Sequence, residues 1–271
     1  MLPVFIDSSC GRLFGVYWPA AKDCNKVVLH IPAFAEEMNK SRHMVALQAK
    51  VLNESGYAVL IFDLYGTGDS AGDFSEATWA TWLQNISDVF AWLKGLGLQS
   101  VMLWGLRAGA LLAMDFVSKN PGQVERLLVW QPVLNGDMFV TQFLRLRVAA
   151  AMMNSALPQE KTSDLKKQIK DNQALEVAGY LLNPELMNPL MTTKVEPMSL
   201  IKLRRITILE VISGQNVQPV FANQQLFDQL ESIGIKSDYV KVVGESFWNS
   251  QEIVTAPELL DATQESLKNW R

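Results

Sequence analysis

The chain has 271 residues, 49% of them hydrophobic, and a formal net charge of −4 at pH 7. This length suits one large α/β domain or a core with an inserted cap, and the mild acidity argues against nucleic acid or an anionic membrane as partner. The sequence contains no uninterrupted apolar run of about 18 residues, so we expect no stable membrane insertion. The N-terminus lacks a secretory pattern, so we expect a cytoplasmic location.

Strands and helices alternate along the first half of the chain. A hairpin around Gly11 comes first, and short β-branched, apolar runs then predict buried strands. Helical spacing followed by Gly56, which fits a helix C-terminus, predicts the first long helix. The expected strands are 3–8, 11–19, 26–33, 57–64, 100–106 and 126–133, and the expected helices are 38–55, 75–95 and 107–119.

The alternation stops at residues 135–205, which are helical in pattern, rich in methionine and without a clear strand. Strands are expected again at 206–213 and 236–243, with helices near 217–232 and at 256–270. The alternation implies an α/β fold with an eight-stranded, mostly parallel sheet covered on both faces. We therefore expect an α/β-hydrolase core made of 1–134 and 206–271, and a helical cap insertion at 135–205.

The strand at 100–106 leads directly into Gly105-Leu106-Arg107-Ala108-Gly109. A strand, Gly-x-X-x-Gly and a helix form the nucleophile elbow of α/β-hydrolases, in which the central residue occupies a strained turn and small residues flank it. Gly105 and Gly109 meet that need, but the central residue is arginine. The loop 63–70 (DLYGTGDS) resembles the one that precedes the elbow in many α/β-hydrolases, and 30–34 (HIPAF) lies where they place an oxyanion loop.

Five segments are similar to the exosortase A system-associated hydrolases, and more narrowly to the second hydrolase type of that system. They are 30–44 (HIPAFAEEMNKSRHM), 63–74 (DLYGTGDSAGDF), 103–109 (LWGLRAG), 129–136 (VWQPVLNG) and 142–147 (QFLRLR). The resemblance covers most of the chain, and 34–42 is its most specific part. It implies an α/β-hydrolase fold and an association with bacterial exopolysaccharide and PEP-CTERM protein-sorting loci, but it supplies no substrate.

Ser-His-Asp catalysis needs a nucleophile, a base and an acid that orients the base. The arginine at the elbow stays protonated and cannot attack a carbonyl group. The loop where the acid is expected contains Asn216 and no carboxylate, and the loop where the histidine is expected contains Glu245 and Ser246. The two histidines of the chain, His30 and His43, lie elsewhere in the predicted fold. We therefore expect no ordinary triad.

A cation at a helix N-terminus opposes the helix dipole, and burial beneath a cap would raise that cost, so Arg107 should have a carboxylate partner. The candidates on loops at the carboxyl end of the sheet are Glu36, Glu37, Asp69 and Glu245. In one interpretation, Arg107 binds a ligand carboxylate or phosphate and a glutamate of raised pKa acts as general base toward water. In the other, the two charges form an internal ion pair that plugs a dead site.

These considerations give a set of candidate site residues. The candidate catalytic residues are Arg107, Glu36, Glu37 and Glu245, and the candidate ligand-binding residues are His30, Phe34, Asn39, Asp69, Leu106 and Ser246. Three functions stay open: an atypical hydrolase or acyl-transfer enzyme for an ester, thioester or amide, a non-catalytic pseudo-hydrolase that binds an anionic or acyl ligand, and a scaffold for partner proteins.

The remaining motifs argue against bound cofactors. No cluster of cysteine, histidine and carboxylate residues has the spacing of a metal site. Gly66-Thr67-Gly68 is too short for a dinucleotide fingerprint, and no Walker-type loop is present. We therefore expect no metal and no cofactor. Cys10 and Cys24 suit free thiols in a reducing compartment, although a bridge between them stays open.

Overall fold

The computed structural model describes residues 1–21, 24–153, 159–214 and 221–270. Its strands are β1 (Leu2–Ser8), β2 (Gly11–Trp18), β3 (Lys26–Ile31), β4 (Ala58–Phe62), β5 (Ser100–Leu106), β6 (Arg126–Trp130), β7 (Leu175–Val177), β8 (Tyr180–Leu182), β9 (Arg205–Ile212) and β10 (Ser237–Val243). Its α-helices are α1 (Glu36–Glu54), α2 (Trp79–Gly95), α3 (Ala108–Lys119), α4 (Gly136–Met153), α5 (Thr162–Lys170), α6 (Pro184–Thr192), α7 (Phe221–Ser232) and α8 (Pro257–Leu267). Short 3-10 helices lie at Phe74–Glu76, Pro197–Leu200 and Lys268–Trp270.

Eight strands form one sheet in the order β1-β2-β4-β3-β5-β6-β9-β10. β2 pairs antiparallel with β1 and with β4, whereas the other neighbours pair in parallel. The expected eight-stranded, mostly parallel sheet that follows an antiparallel hairpin is therefore confirmed. Strands β3 to β6 are almost wholly buried because helices cover both faces, and this burial explains their continuous apolar sequences.

Several expected elements have different limits in the structure; the strands expected at 57–64 and 126–133, for example, span Ala58–Phe62 and Arg126–Trp130. Two further cases have a clear physical reason. The strand expected at 26–33 ends at Ile31, directly before Pro32, which has no N–H group to donate to a neighbouring strand. The helix expected at 75–95 divides into the 3-10 turn at Phe74–Glu76 and helix α2. Thr78 separates them, because its side chain accepts a hydrogen bond from the Thr81 N–H and so caps α2.

Between β6 and β9 the chain adds a layer in which α4, α5 and α6 pack against one another. The expectation that this segment contains no strand is wrong, because β7 and β8 form an antiparallel hairpin. Its turn residues Ala178 and Gly179 both have positive φ, at 52° and 84°, as a two-residue type I′ turn requires. Strands of three residues show no clear alternation, and alanine at the first turn position hides the usual Asn-Gly signal.

The core lies on the two faces of the sheet. On one face, α1 and α8 pack over Val28, Trp104 and Trp130, and on the other face α2 and α3 pack over Leu29 and Leu103. Along the described parts of the chain, no helix has both the length and the apolar character needed to cross a membrane.

Candidate functional site

Helix α3 follows β5 through a strained turn at Arg107. Arg107 has φ 54° and ψ −121°, a backbone conformation that is unfavourable for residues with a Cβ atom. A Cβ atom at Gly105 would lie 2.5 Å from Ala110 Cα, and one at Gly109 would lie 2.2 Å from the Pro32 oxygen. Glycine is therefore required on both sides of the turn, as the elbow motif predicts.

Helix α1 begins through a turn of nearly the same shape, in which Ala35 has φ 51° and ψ −127°. Strands β3 and β5 are neighbours, with Ile31 opposite Gly105, so the two helix starts lie side by side. The next strand, β6, is followed by Gln131 with φ 42°. Backbone strain is thus concentrated at the carboxyl ends of three adjacent strands, which is a feature of many functional sites.

Arg107 and Glu37 form an ion pair between these two helix starts. Arg107 Nε donates to Glu37 Oε1 at 3.1 Å, and each side chain keeps 17% of its surface exposed. The prediction that Arg107 has a carboxylate partner is confirmed, and that partner is Glu37. The helix dipole favours a carboxylate at the start of α1, and this charge offsets the unfavourable cation at the start of α3.

The second carboxylate oxygen of Glu37 is buried and has no hydrogen-bond partner among the described residues. Burial raises the pKa of the Glu37 carboxyl group, and this effect outweighs the lowering by Arg107. A carboxylate with a raised pKa has a greater affinity for a proton near neutral pH. Glu37 therefore has the electrostatic character that a general base needs.

On its other side, the Arg107 guanidinium lies over the indole ring of Trp248, with 5.6 Å between Cζ and the ring centre. Cations are attracted to the face of an indole ring, so Trp248 helps to fix the guanidinium. Trp248 is on the loop after β10. The sequence alone did not identify it, because the triad motif points to the Glu245 and Ser246 positions of this loop. Within the described residues, no acceptor bonds the terminal N–H groups of Arg107.

Glu36 and Asn39 make contact with the layer between β6 and β9 instead of with Arg107. The Tyr180 hydroxyl donates to Glu36 Oε2 at 3.2 Å and accepts from Asn39 Nδ2 at 3.2 Å. Burial and the nearby Glu36 carboxylate raise the pKa of Tyr180, so this hydroxyl stays protonated. Tyr180 was also missed by sequence reasoning, because the hairpin that presents it was not predicted.

Phe34 is 3% exposed and forms the centre of an aromatic cluster. Its ring makes edge contacts with Phe74, Trp82, Phe139 and Phe143, at centre distances of 5.2 to 5.9 Å. Two of these rings belong to α4. The cluster therefore joins the start of α1 to the inserted layer, and Phe34 contributes to packing there.

His30 and Leu106 are buried in the core. His30 is 2% exposed, and its Nδ1 lies 3.1 Å from the Trp104 carbonyl oxygen. Burial lowers the pKa of His30 to about 3, so the ring is neutral at physiological pH. Leu106 is fully buried beside the aromatic residues of the α1 face.

The remaining candidates lie on the surface. Asp69, Glu245 and Ser246 are exposed, and in the described parts of the chain none of their side chains bonds Arg107. Asn216 lies outside the described residues. Of all the candidates, only Glu37 bonds the Arg107 side chain among the described residues. Glu36 and Asn39 lie on the same first turn of α1, where Asn39 Nδ2 donates to Glu36 Oε2 at 3.4 Å. Among the residues that the structure describes, no group of three or more histidine, cysteine or carboxylate side chains is placed to hold a metal ion.

Comparisons with known proteins identify the fold. The sequence model for "Serine aminopeptidase, S33" matches residues 22–194. Among curated proteins, no sequence matches the chain significantly.

Solved structures of three organisms are similar over almost the whole chain. Est1E from Butyrivibrio proteoclasticus with bound ferulic acid is 21% identical, with a TM-score of 0.67, and the match covers 98% of this chain and 97% of that one. The α/β hydrolase domain-containing protein 10 from mouse is 15% identical, with a TM-score of 0.59 and coverages of 100% and 98%. A serine hydrolase without a lid from Xanthomonas campestris is 15% identical, with a TM-score of 0.57 and coverages of 99% and 94%. At these identities the likeness shows the fold, which is that of the α/β-hydrolases.

Proposed function

Because the chain belongs to the serine aminopeptidase S33 family, we propose that it is an atypical hydrolase or acyl-transfer enzyme for an ester, thioester or amide, with Glu37 and Arg107 in place of a Ser-His-Asp triad. The observation that carries this proposal is the Glu37 carboxylate. One oxygen is held by Arg107, the other is buried without a partner among the described residues, and burial raises its pKa.

In the proposed reaction, Glu37 accepts a proton from water while the water oxygen attacks the acyl carbon. The carbonyl oxygen becomes negatively charged, and the terminal N–H groups of Arg107 donate to it. The first N–H groups of α3, at Ala108 and Gly109, have no partner within the helix and can add to this stabilisation. The intermediate then collapses, and the leaving alcohol, thiol or amine takes the proton from Glu37. In acyl transfer, a hydroxyl group replaces the water.

The substrate setting follows from the resemblance to the exosortase A system-associated hydrolases. We infer that the acyl compound belongs to exopolysaccharide or PEP-CTERM protein-sorting metabolism in the cytoplasm, and that residues 135–205 act as a cap over the site. The contacts of Tyr180 with Glu36 and of α4 with Phe34 support a cap at this place. Est1E binds ferulic acid, so a site on this fold has room for an acyl group with an aromatic ring.

A second candidate function is a non-catalytic pseudo-hydrolase that binds an anionic or acyl ligand through the same pair. The observation in its favour is that Arg107 and Glu37 bond each other and that each side chain is only 17% exposed. An arginine with unbonded terminal N–H groups suits a carboxylate or phosphate ligand, whether or not a reaction follows.

The experiment measures hydrolysis of 4-nitrophenyl esters, acyl-thioesters and aminoacyl anilides of increasing acyl length. It compares the wild type with Glu37→Gln, Arg107→Ala and Arg107→Ser, and uses Glu54→Gln, on the last turn of the same helix, as the matched control. We expect Glu37→Gln to lower kcat/KM by roughly 10²- to 10⁴-fold and Arg107→Ala by roughly 10²- to 10³-fold. Arg107→Ser should not acquire serine-hydrolase activity or react with a fluorophosphonate probe, because neither histidine of the chain lies beside residue 107.

The outcomes separate the two candidates. Turnover that is lost in Glu37→Gln and kept in Glu54→Gln supports the enzyme. If the wild type turns over nothing but binds an acyl carboxylate in an Arg107-dependent way, the pseudo-hydrolase is correct. Turnover that survives both Glu37→Gln and Arg107→Ala would show that the chemistry occurs elsewhere.

A further inference from the structure

A cleft separate from the Arg107 site lies between α1 and strands β2 and β4. It has a volume of about 210 Å³, and neither Arg107 nor Glu37 lines it. Its apolar walls include Val16 and Trp18 of β2, Ile61 of β4, and Met38 and Val45 of α1. We call it the flank cleft.

His30 is one of the polar residues that line the flank cleft. The neutral ring donates from Nδ1 to the Trp104 carbonyl oxygen, so its Nε2 is a hydrogen-bond acceptor. Within the described residues, Nε2 has no partner, although His30 is only 2% exposed. Nε2 is not fully buried, so it is open to the cleft that His30 lines, and an acceptor that faces an apolar cleft suits a ligand that supplies the donor.

The two charged side chains that line the cleft form an ion pair with each other. Arg42 Nη2 lies 3.1 Å from Asp63 Oδ1, and both residues line the cleft. The other oxygen of Asp63 accepts the Asp69 N–H at 3.0 Å, so this carboxylate is fully engaged. The two charged side chains that line the cleft are thus already paired with each other, so neither offers an uncompensated charge to replace the hydration that a charged ligand would lose. The cleft is therefore suited to an uncharged molecule.

We propose that the flank cleft binds a small uncharged molecule with an apolar or aromatic body and one hydroxyl group, of which an alkylphenol is the simplest form. The hydroxyl donates to His30 Nε2, and the body packs between Trp18 and Ile61 of the sheet and Met38 of α1. The proposal is independent of the reaction at Arg107, because the two sites share no residue.

The test uses 4-ethylphenol and its methyl ether, 4-ethylanisole, which has the same body but no donor. Binding is followed by tryptophan fluorescence and by the ring ¹⁵N signals of the full chain, which contains only two histidines. We expect the phenol to bind roughly two- to tenfold more tightly than the ether, which is the effect of one hydrogen bond. The phenol should shift the Nε2 signal of His30, while the exposed His43 serves as the internal control.

Two variants test whether the ligand binds in the flank cleft. His30→Phe keeps an aromatic ring against Trp104 but removes the acceptor, so it should bind the phenol and the ether equally. Ala46→Trp fills the cleft from the exposed side of α1 and should abolish binding of both without disturbing the core. The wild-type measurements stand even if His30→Phe does not fold. Equal affinity of the wild type for the two ligands, an unshifted His30 signal, or unchanged binding by Ala46→Trp would each overturn the proposal.

Discussion

Two ion pairs lie at the carboxyl ends of neighbouring strands, and both involve the beginning of α1. In the pair of Arg42 with Asp63 and in the pair of Arg107 with Glu37, the bonded nitrogen and oxygen atoms are 3.1 Å apart. The two carboxylates differ in how many of their oxygens have a hydrogen-bond partner. Asp63 gives one oxygen to Arg42 and the other to the Asp69 N–H, so both oxygens are used. Glu37 gives one oxygen to Arg107 and has a second that is buried without a described partner.

This difference separates a structural carboxylate from a candidate functional one. The pair of Asp63 with Arg42 closes the tight loop that precedes α2, where a Cβ atom at Gly68 would lie 2.0 Å from Asp63 Oδ2. The pair of Glu37 with Arg107 is held by two strained helix starts and leaves hydrogen-bonding capacity unused on both partners. The N–O distance does not distinguish the two ion pairs. The number of carboxylate oxygens that have a hydrogen-bond partner does.

The largest effect should come from removing the structural carboxylate. Asp63→Ala deletes two charge-assisted hydrogen bonds at a buried position, and we expect it to lower the free energy of unfolding by about 3 kcal/mol. Urea denaturation measures this. Asp69→Ala is the matched control, since Asp69 contributes its backbone N–H to the loop and should change stability by less than about 0.5 kcal/mol. Equal losses in the two variants would refute the comparison.

A smaller effect should appear as a pH dependence at Glu37. Its pKa is raised in the folded protein, so the stability that it contributes is present below its ordinary pKa and is lost as pH rises through the raised value. The stability of the wild type relative to Glu37→Gln should therefore fall from pH 4 to pH 8, by about 1.4 kcal/mol for each unit of pKa shift.

Urea denaturation at several pH values tests this expectation. In Glu54→Gln, which removes an exposed carboxylate from the same helix, the difference from wild type should stay within about 0.5 kcal/mol at every pH. A wild type that gains stability over Glu37→Gln as pH rises would show that Arg107, and not burial, determines the protonation of Glu37.

The smallest effect concerns the backbone at residue 107. Because φ is 54° there, Arg107→Gly should be more stable than Arg107→Ala by about 1 kcal/mol, although glycine destabilises a helix interior. Ala46→Gly, within α1, is the control and should lose about 1 kcal/mol. Thermal or urea unfolding of the three variants measures these differences in stability. If Arg107→Gly were the less stable of the first pair, the elbow would not be strained.

The sequence by itself determined much of the architecture. Buried parallel strands are continuous apolar runs, so the eight-stranded sheet and the glycines around Arg107 were predictable from local pattern. The need for a carboxylate beside Arg107 followed from charge and burial alone. The hairpin of β7 and β8 was not predictable, because its strands are too short for periodicity and its turn uses alanine where asparagine is usual.

Only the tertiary structure decided which side chains meet. Four carboxylates were candidates for Arg107. The parallel pairing of β3 with β5 placed the start of α1, with Glu36 and Glu37, beside it, and of these two Glu37 bonds the guanidinium. Trp248 reaches Arg107 from a loop more than a hundred residues away, and Tyr180 reaches Glu36 from the inserted layer. Local sequence specifies backbone periodicity and strain, whereas contacts between distant segments depend on how strands pair and helices pack. Apart from the hairpin of β7 and β8, the strands and helices could therefore be predicted, and the partners of Arg107 and Glu36 could not.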